Sequence, residues 1–179
     1  VNGSTYYNTG GEYDPATNSW SATSTGTNCP TKRAWHSARW SGTQVLIWAG
    51  HGCTDPGCGS VDDLSDGGRY DPAGAGTWAV LPSPAPYYPE ILPRSKHTVT
   101  ILGNTMYVYG GLMNGSMIGS GARYYWEITN PEIAWASLPE TNGPGTRAYH
   151  TQTPGLWGSI LSIWGGGNWL DTGKMLPYA

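Results

Sequence analysis

Three copies of the motif Arg-x-x-His carry the residues of this chain that are best suited to chemistry. They supply Arg33 and His36, Arg94 and His97, and Arg147 and His150. Histidine is a common general base and metal ligand, so three converging imidazoles would form a catalytic or metal centre. Because each histidine has the same place in a repeat, however, we expect the three to be spread around the fold. The sequence instead predicts structural roles, in which ring nitrogens hold loop backbone and guanidinium groups satisfy carbonyls between neighbouring units.

Each motif is followed by the same order of short elements, which indicates a repeated β-unit. A first strand is predicted directly after the histidine, then a tight turn, then a second strand. The turns are at residues 41–43, 103–104 and 157–159, and the second strands are at 44–48, 106–109 and 160–164. Each second strand runs into two small residues, which let the backbone turn where a side chain would collide. These pairs are Ala49 and Gly50, Gly110 and Gly111, and Gly165 and Gly166.

Two further strands complete each unit. The third contains Tyr13, Tyr70 or Tyr124, and the fourth begins at Trp20, Trp78 or Trp135. No apolar pattern keeps a helical period over three turns, so the chain is predicted to be all-β with almost no helix. A four-stranded antiparallel sheet leaves a face exposed, and the ten tryptophans and twelve tyrosines provide flat surfaces through which such sheets can stack.

The glycine pairs and the segment TGGEYDPATNSW at residues 9–20 resemble Kelch repeats, and in particular the form found in secreted bacterial proteins. The resemblance covers essentially the whole chain. It implies an all-β fold of Kelch-type β-propeller blades, each of them a four-stranded antiparallel sheet. It says little about function, because one architecture supports many unrelated activities.

The repeats predict one propeller segment of about three blades, with a half blade at each end. Residues 1–28 form the second half of a blade, 29–82 and 83–139 form whole blades, and 140–179 form a first half. Propellers have about four to eight blades. Three explanations remain open: two copies close a six-bladed ring, the chain is a piece of a longer one, or it is an open arc whose edges another protein covers. We therefore expect a homo-oligomer or part of a longer propeller chain.

Cys53 and Cys58 flank the turn signal Asp-Pro-Gly, which can bring the two sulfurs together. A disulfide between them is the preferred interpretation for an exported chain, and two free thiols are the simplest alternative. A second alternative is a metal site made by these cysteines with His51 and Asp55, although a structural zinc site usually has a second pair of Cys or His nearby. Cys29 is left over, either buried in a blade or cross-linked to a partner.

The composition favours a secreted or cell-surface protein. Charged residues make up 12% of the chain and the net charge is −3, so nucleic acid is not an expected partner. No apolar run approaches the roughly 20 residues of a membrane-spanning helix. Lysine is scarce while Ser, Thr, Asn, Gly and Trp are abundant, and this composition, together with the cysteine pair, suggests secretion.

Three further patterns resemble parts of known active sites but are incomplete. Tyr149 and His150 resemble the adjacent Tyr and His copper ligands of galactose oxidase, whose catalytic domain is also a Kelch-type propeller, but no second histidine ligand or Cys-linked tyrosine can be assigned. Residues 73–78 share the end of the sialidase box without its Asp. Asp62 and Asp63 lack the spacing of a glycosidase pair and fit a solvated loop or a casual calcium contact better. We therefore assign no catalytic residue, cofactor or metal ligand.

The sequence predicts a non-enzymatic extracellular interaction or structural module that binds protein or glycan. The candidate contact loops are residues 52–66, 82–93 and 112–121, because loops on a rigid scaffold commonly carry binding. In the second loop, Tyr87 and Tyr88 could stack on sugar rings. The alternative is a carbohydrate-acting or galactose-oxidase-like copper enzyme, for which the sequence lacks a complete set of residues.

Overall fold

The computed structural model describes residues 5–128, 130–155 and 160–167, and within them the fold is all-β with several antiparallel sheets. The strands, in chain order, are β1 (Gly11–Asp14), β2 (Ser19–Ala22), β3 (Arg33–Ala34), β4 (Ser37–Trp40), β5 (Val45–Cys53), β6 (Val61–Asp71), β7 (Thr77–Leu81), β8 (Thr98–Leu102), β9 (Thr105–Tyr109), β10 (Leu112–Met113), β11 (Ser116–Met117), β12 (Gly121–Tyr125), β13 (Trp135–Ser137), β14 (Thr151–Gly155) and β15 (Ile160–Trp164). A four-residue helix, α1 (Pro131–Ala134), precedes β13. The predicted turn at residues 157–159 and the last predicted half blade beyond residue 167 lie outside the described residues.

The largest sheet is built around the long strand β5. Its order is β3-β5-β6-β7, and β4 also pairs with β5. The first strand of this unit is therefore present in two pieces, β3 and β4, and the interruption includes Trp35, whose φ is +55°. The register between β5 and β6 shifts between Trp48 and Gly50, at Ala49 with a φ of +57°. The predicted second, third and fourth strands are confirmed here, and β5 and β6 extend further than the sequence indicates.

The next sheet has four antiparallel strands in the order β13-β12-β9-β8. Its first two strands, β8 and β9, are joined at the predicted turn, residues 103–104. Tyr124 and Trp135 are partners across β12 and β13, which confirms the predicted third and fourth strands. This is the four-stranded sheet that the repeat predicts for a complete unit.

Of the three two-stranded sheets in the described residues, β1–β2 and β14–β15 have places in the repeat, and β10–β11 is a loop hairpin. Their repeat positions differ. The pair β1–β2 contains Tyr13 and Trp20 and corresponds to β6–β7, the third and fourth strands of a unit. The pair β14–β15 follows His150 and corresponds to β8–β9, the first and second strands.

The sequence overestimates the loops and misses the helix. Strand β5 continues to Cys53 and β6 begins at Val61, so only part of the loop expected at residues 52–66 is loop. The loop expected at residues 112–121 contains the hairpin β10–β11, whose turn is Asn114-Gly115, a pair that favours two-residue hairpin turns.

The helix α1 has a local cause. Its N-cap is Asn130, whose Oδ1 accepts a hydrogen bond of 3.0 Å from the backbone N–H of Glu132. An asparagine N-cap followed by proline is a helix-start signal, although four residues change little in an all-β fold. Within the described ranges, no helix is long and apolar enough to cross a membrane.

The two larger sheets pack against each other through aromatic side chains. Trp48 of β5 and Trp135 of β13 are both fully buried, and their ring centroids are 5.2 Å apart. Tyr124 lies 4.8 Å from Trp135, and Leu46 and Val108 belong to the same buried cluster. Each aromatic ring of this kind removes about 150–250 Å² from water. The aromatic content of the chain therefore joins neighbouring units as well as filling each one.

Candidate functional site

Arg94 is fully buried, and oxygen atoms surround its guanidinium group. Nε donates to the carbonyl of Leu92 at 3.0 Å, and Nη1 donates to the carbonyls of Gly110 at 3.2 Å and Ser120 at 2.8 Å. Nη2 donates to Oγ of Ser120 at 3.0 Å. Burial lowers the pKa of Arg94 to about 10, so the group is still charged at neutral pH. These contacts fix the end of β9 to the start of β12.

Arg33 repeats this arrangement in the preceding unit. Its Nε donates to the carbonyl of Thr31 at 3.0 Å, and its Nη1 donates to the carbonyls of Ala49 at 3.0 Å and Asp66 at 3.1 Å. The Asp66 carboxylate also accepts from Nη2 at 3.1 Å. All these oxygens belong to the same unit as Arg33, so the expectation that the arginines bridge neighbouring units is wrong for their side chains.

Arg147 keeps the central contact of the pattern. Its Nη1 donates to the carbonyl of Gly165 at 3.0 Å. Gly165 has the repeat position of Ala49 and Gly110, and all three have a positive φ, of +72°, +57° and +61° respectively. The three arginines therefore hold the same left-handed turn at the end of each second strand.

The backbone of the same motif does join neighbouring units. The N–H of Gly50 donates to the carbonyl of Arg94 at 2.8 Å, and the N–H of Gly111 donates to the carbonyl of Arg147 at 2.8 Å. Both glycines have a φ near +100°, which only glycine adopts readily. A Cβ at Gly111 would lie 2.6 Å from the carbonyl oxygen of Ser95. The second glycine of each pair is thus required by both conformation and space.

The histidine rings also make contacts between units. His97 Nε2 lies 3.0 Å from Oγ of Ser37, and His150 Nε2 lies 2.5 Å from Oγ1 of Thr98. Ser37 and Thr98 directly follow the histidine of the preceding unit. The ring nitrogens therefore meet hydroxyl groups, and the expectation that they hold loop backbone is wrong. The sequence offered no signal for this pairing, because the partners are more than 50 residues apart.

Burial sets the protonation of these histidines. It lowers the pKa of His97 well below its ordinary value, and the charges of Arg94 and other nearby groups lower it further. It also lowers the pKa of His150 to about 4, with a smaller contribution from Arg147. Both rings are therefore neutral at neutral pH.

Acidification is expected to destabilise the fold between about pH 6.5 and pH 4. Above this window the imidazoles are neutral in the folded and the unfolded chain, so they add no pH dependence. Within it, the unfolded chain takes up protons that buried His97 and His150 do not, and the free energy of unfolding falls with the pH. Urea unfolding across the window measures the slope, which His150→Gln should reduce. An unchanged slope in that variant would contradict the assignment.

Two tryptophans of the fourth strands form another repeated contact between units. Nε1 of Trp78 donates to the carbonyl of Ser24 at 2.8 Å, and Nε1 of Trp135 donates to the carbonyl of Pro82 at 2.9 Å. Each acceptor lies just after the fourth strand of the preceding unit. Trp20 has the same repeat position but is 72% exposed.

Trp35, Lys96 and Tyr149 form a row that the sequence analysis missed. Each directly precedes the histidine of its motif, and their φ values are +55°, +56° and +59°. The N–H of Lys96 donates to the carbonyl of Trp35 at 3.0 Å, and the N–H of Tyr149 donates to the carbonyl of Lys96 at 3.2 Å. The Lys96 ammonium lies 4.2 Å from the centroid of the Trp35 ring and 5.2 Å from that of Tyr149. We call these three residues the aromatic row.

The aromatic row is accessible from solvent. Trp35 is 53% exposed and Tyr149 is 38% exposed, and the ammonium between them makes cation–π contacts. Bulky residues with a positive φ are uncommon, so the repetition of this backbone at three equivalent positions could not be read from residue preferences. The signal in the sequence is the series Trp, Lys and Tyr before the three histidines.

The cysteines form a structural link rather than a metal site. Cys53 and Cys58 are joined by a disulfide, as predicted. The other two members of the alternative metal set are engaged elsewhere: His51 Nδ1 lies 3.1 Å from the Asp63 carboxylate, and the Asp55 carboxylate accepts from a backbone N–H within its own loop. Cys29 has a free, half-buried thiol, so it lies only partly inside the protein, and a cross-link to a partner stays a prediction.

The acidic pair and the loop tyrosines differ from expectation. Asp63 lies on β6 with a side chain only 6% exposed, and its Oδ2 accepts from the N–H of Asn114 at 2.8 Å, so it is not part of a solvated loop. Asp62 is exposed. Tyr88 packs against the core and its hydroxyl donates to a backbone carbonyl, whereas Tyr87 is 50% exposed.

The pair Tyr149 and His150 does not stand in a ligand cluster. His150 Nε2 contacts Thr98, and its ring lies edge-on to Tyr109 with centroids 5.9 Å apart. Among the residues that the structure describes, no group of three or more His, Cys, Asp or Glu could hold a metal ion.

No family model matches the chain, and no curated protein matches its sequence. The function is therefore inferred from the repeated motif, the unit contacts and the aromatic row.

Proposed function

We propose that the chain is a segment of a Kelch-type β-propeller that acts as a non-enzymatic extracellular interaction module, and that the aromatic row binds a glycan. In this arrangement residues 29–82 and 83–139 are whole blades, and 1–28 and 140–179 are half blades. The disulfide is compatible with an oxidising, extracellular environment.

Support for the propeller comes from the repetition of contacts between successive units. The glycine N–H to arginine carbonyl bond and the histidine to hydroxyl contact each occur twice, at equivalent positions. The tryptophan Nε1 to carbonyl bond also occurs twice. Units joined by the same contact must be related by the same rotation and translation, which generates a ring or a solenoid. A closed ring of such four-stranded units is a propeller.

Support for glycan binding comes from the exposed rings of Trp35 and Tyr149 on either side of Lys96. Indole and phenol rings offer an apolar face to the C–H groups of a sugar and a polar edge to its hydroxyls. An ammonium group between them can donate to hydroxyl or carboxylate oxygens. This exposed row is the single observation that carries the proposal, because its three residues occupy equivalent positions in successive units and contact one another.

The test measures the binding of a panel of neutral and acidic oligosaccharides through the change in tryptophan fluorescence. The double variant Trp35→Asn with Tyr149→Asn is expected to weaken binding more than about tenfold, because central aromatic contacts commonly contribute 2 kcal/mol or more. Asparagine tolerates the left-handed backbone, so the fold is retained. Tyr87→Asn is the control, since that tyrosine is similarly exposed but lies outside the row. No binding by the unaltered chain, or equal loss in the control, would contradict the proposal.

A further inference from the structure

An apolar groove of about 280 Å³ lies between the sheet β1–β2 and the largest sheet. The third and fourth strands of the largest sheet are bonded across it, because Nε1 of Trp78 donates to the Ser24 carbonyl and the Tyr70 hydroxyl donates to Glu12. The second strand contributes Val45 and Ile47 of β5 to its lining, and both are half-buried. The pair β1–β2 therefore covers the third and fourth strands of its neighbour and leaves the first and second strands uncovered.

The equivalent positions in the next unit show what normally fills such a groove. Met106 and Val108 of β9 correspond to Val45 and Ile47, and both are fully buried, whereas Val45 and Ile47 are only half-buried. The same contrast holds for the motif histidines. His97 and His150 are buried against the first strand of the preceding unit, and His36 is exposed beside the groove. The groove therefore resembles a contact between two successive units from which the first and second strands of the preceding unit are missing.

The hairpin β14–β15 carries the complementary surface. Trp164 has the repeat position of Trp48, which is fully buried against His97 and Trp135, yet Trp164 is 79% exposed. Ile160 lies on the same face of β15, because alternate residues of a strand share a face, and it is 45% exposed. This hairpin consists of a first and a second strand, the two that the groove leaves uncovered.

We propose that the groove binds the β14–β15 hairpin of a second copy of this chain, an inference that rests on the proposed propeller arrangement. The interface already present twice within the chain specifies the contacts. The partner's Trp164 packs on His36 as Trp48 packs on His97. His36 Nε2 meets the hydroxyl of the partner's Thr151, and the carbonyl of Arg33 accepts from the N–H of the partner's Gly166, as the carbonyl of Arg94 does from Gly50.

The strand edges agree with this occupant. In the described residues β1 pairs with β2, a third strand with a fourth, and β15 pairs with β14, a second strand with a first. In the complete units the second strand pairs with the third, as β5 does with β6 and β9 does with β12. Pairing of β15 from one copy with β1 of the other therefore completes a four-stranded sheet and protects both edges.

Each copy gives one hairpin and receives one, so the contact is head-to-tail. A head-to-tail contact forms a closed assembly when its rotation returns to the start, and otherwise it forms an open polymer. Two copies of about three units each make six, which is within the usual range for propellers of about four to eight. The expected assembly is a dimer.

Sedimentation or light scattering of the 179-residue chain is expected to give a single species of twice the 19.1 kDa chain mass. Trp164→Ser should weaken the dimer more than about tenfold, because it removes the central ring of the contact. Its side chain is 79% exposed in the protomer, so the protomer should still fold, which circular dichroism would verify. The matched control is Ile133→Ser, an apolar side chain that is 61% exposed on α1 and has no place in the proposed contact.

Mixing provides a second readout. Ile47→Glu damages the groove and leaves the hairpin intact, so a mixture with Trp164→Ser should form a heterodimer through one undamaged contact.

A monomeric unaltered chain, a dimer that Trp164→Ser leaves unchanged, or an open-ended polymer would overturn the proposal. Oligosaccharide binding by the Trp164→Ser monomer tests the aromatic row separately, so failure of the dimer and failure of the proposed function can be told apart.

Discussion

Replacement of Arg94 by methionine is expected to lower the free energy of unfolding by about 2–5 kcal/mol, because hydrogen-bond acceptors inside the protein lose their donor. Methionine fills similar volume but cannot donate hydrogen bonds. The carbonyls of Leu92 and Gly110 would lose the donor that Arg94 supplies, whereas the carbonyl of Ser120 would keep the N–H of Gly110. Each buried acceptor left unpaired costs about 1–3 kcal/mol. The site is fully buried, so water cannot replace the guanidinium group without a rearrangement of the turn.

Urea unfolding of Arg94→Met and of Arg69→Met would measure this effect against a control. Arg69 is half-buried and its Nη1 donates to the carbonyl of Trp126 at 3.1 Å, so its loss should cost only about 1 kcal/mol. Arg94→Lys should not restore stability, because an ammonium group lacks the planar fork that reaches several carbonyls at once. Equal losses at the two positions would contradict a special role of the buried arginine.

Substitution of Gly111 by alanine is expected to destabilise the chain by about 3 kcal/mol or more. Two effects add. A residue with a side chain is strained by about 1–3 kcal/mol at the φ of +105° found here. The new Cβ would also lie 2.6 Å from the carbonyl oxygen of Ser95 and 2.9 Å from Cβ of His97, so the turn must move away from its neighbours. That movement would break the hydrogen bond from Gly111 to Arg147 in the next unit.

Gly42→Ala separates the two effects. Gly42 has nearly the same φ, +106°, but nothing lies within 4 Å of the position of its Cβ. Its substitution should therefore cost only the backbone strain, about 1–3 kcal/mol. Thermal or urea unfolding of the two variants measures the difference, which reports the close approach alone. Similar stability losses in both variants would show that space at Gly111 is not limiting.

The strand order could be predicted because it depends on local residues that recur. The turn at residues 103–104 separates two apolar runs, and the small pairs such as Gly110 and Gly111 mark the end of each second strand. A tryptophan such as Trp78 or Trp135 marks each fourth strand and follows the tyrosine of the third strand in all three copies. The disulfide was predictable for a similar reason, since a turn signal separates Cys53 from Cys58.

The contacts between units could not be predicted, because they depend on residues far apart in the chain. His97 meets Ser37 across 60 residues, and nothing in either segment indicates the pairing. The sequence predicts a solvated Asp63 because its partners, His51 and Asn114, come together only in the folded sheet. It also predicts arginines that bridge units, but their side chains bind carbonyls of their own unit, and their backbone carbonyls make the contacts between units.

The aromatic row was missed for a different reason. Backbone preferences disfavour a left-handed conformation for tryptophan, lysine and tyrosine, so the sequence does not predict that Trp35, Lys96 and Tyr149 line up. The hydrogen bonds that run from each of these residues to the next explain why the conformation is kept. By contrast, the hairpin turn Asn114-Gly115 had a recognisable local signal.

A crystal structure of the chain tests most directly whether successive units are stacked around one axis. The strands β5, β6 and β7 can be superposed on β9, β12 and β13, and the pair β8–β9 on β14–β15. Both superpositions should give the same rotation about a shared axis. A ring of six units requires about 60° per step. Two different rotation axes, or sheets that pack face to face as a sandwich, would contradict the propeller and the proposals that depend on it.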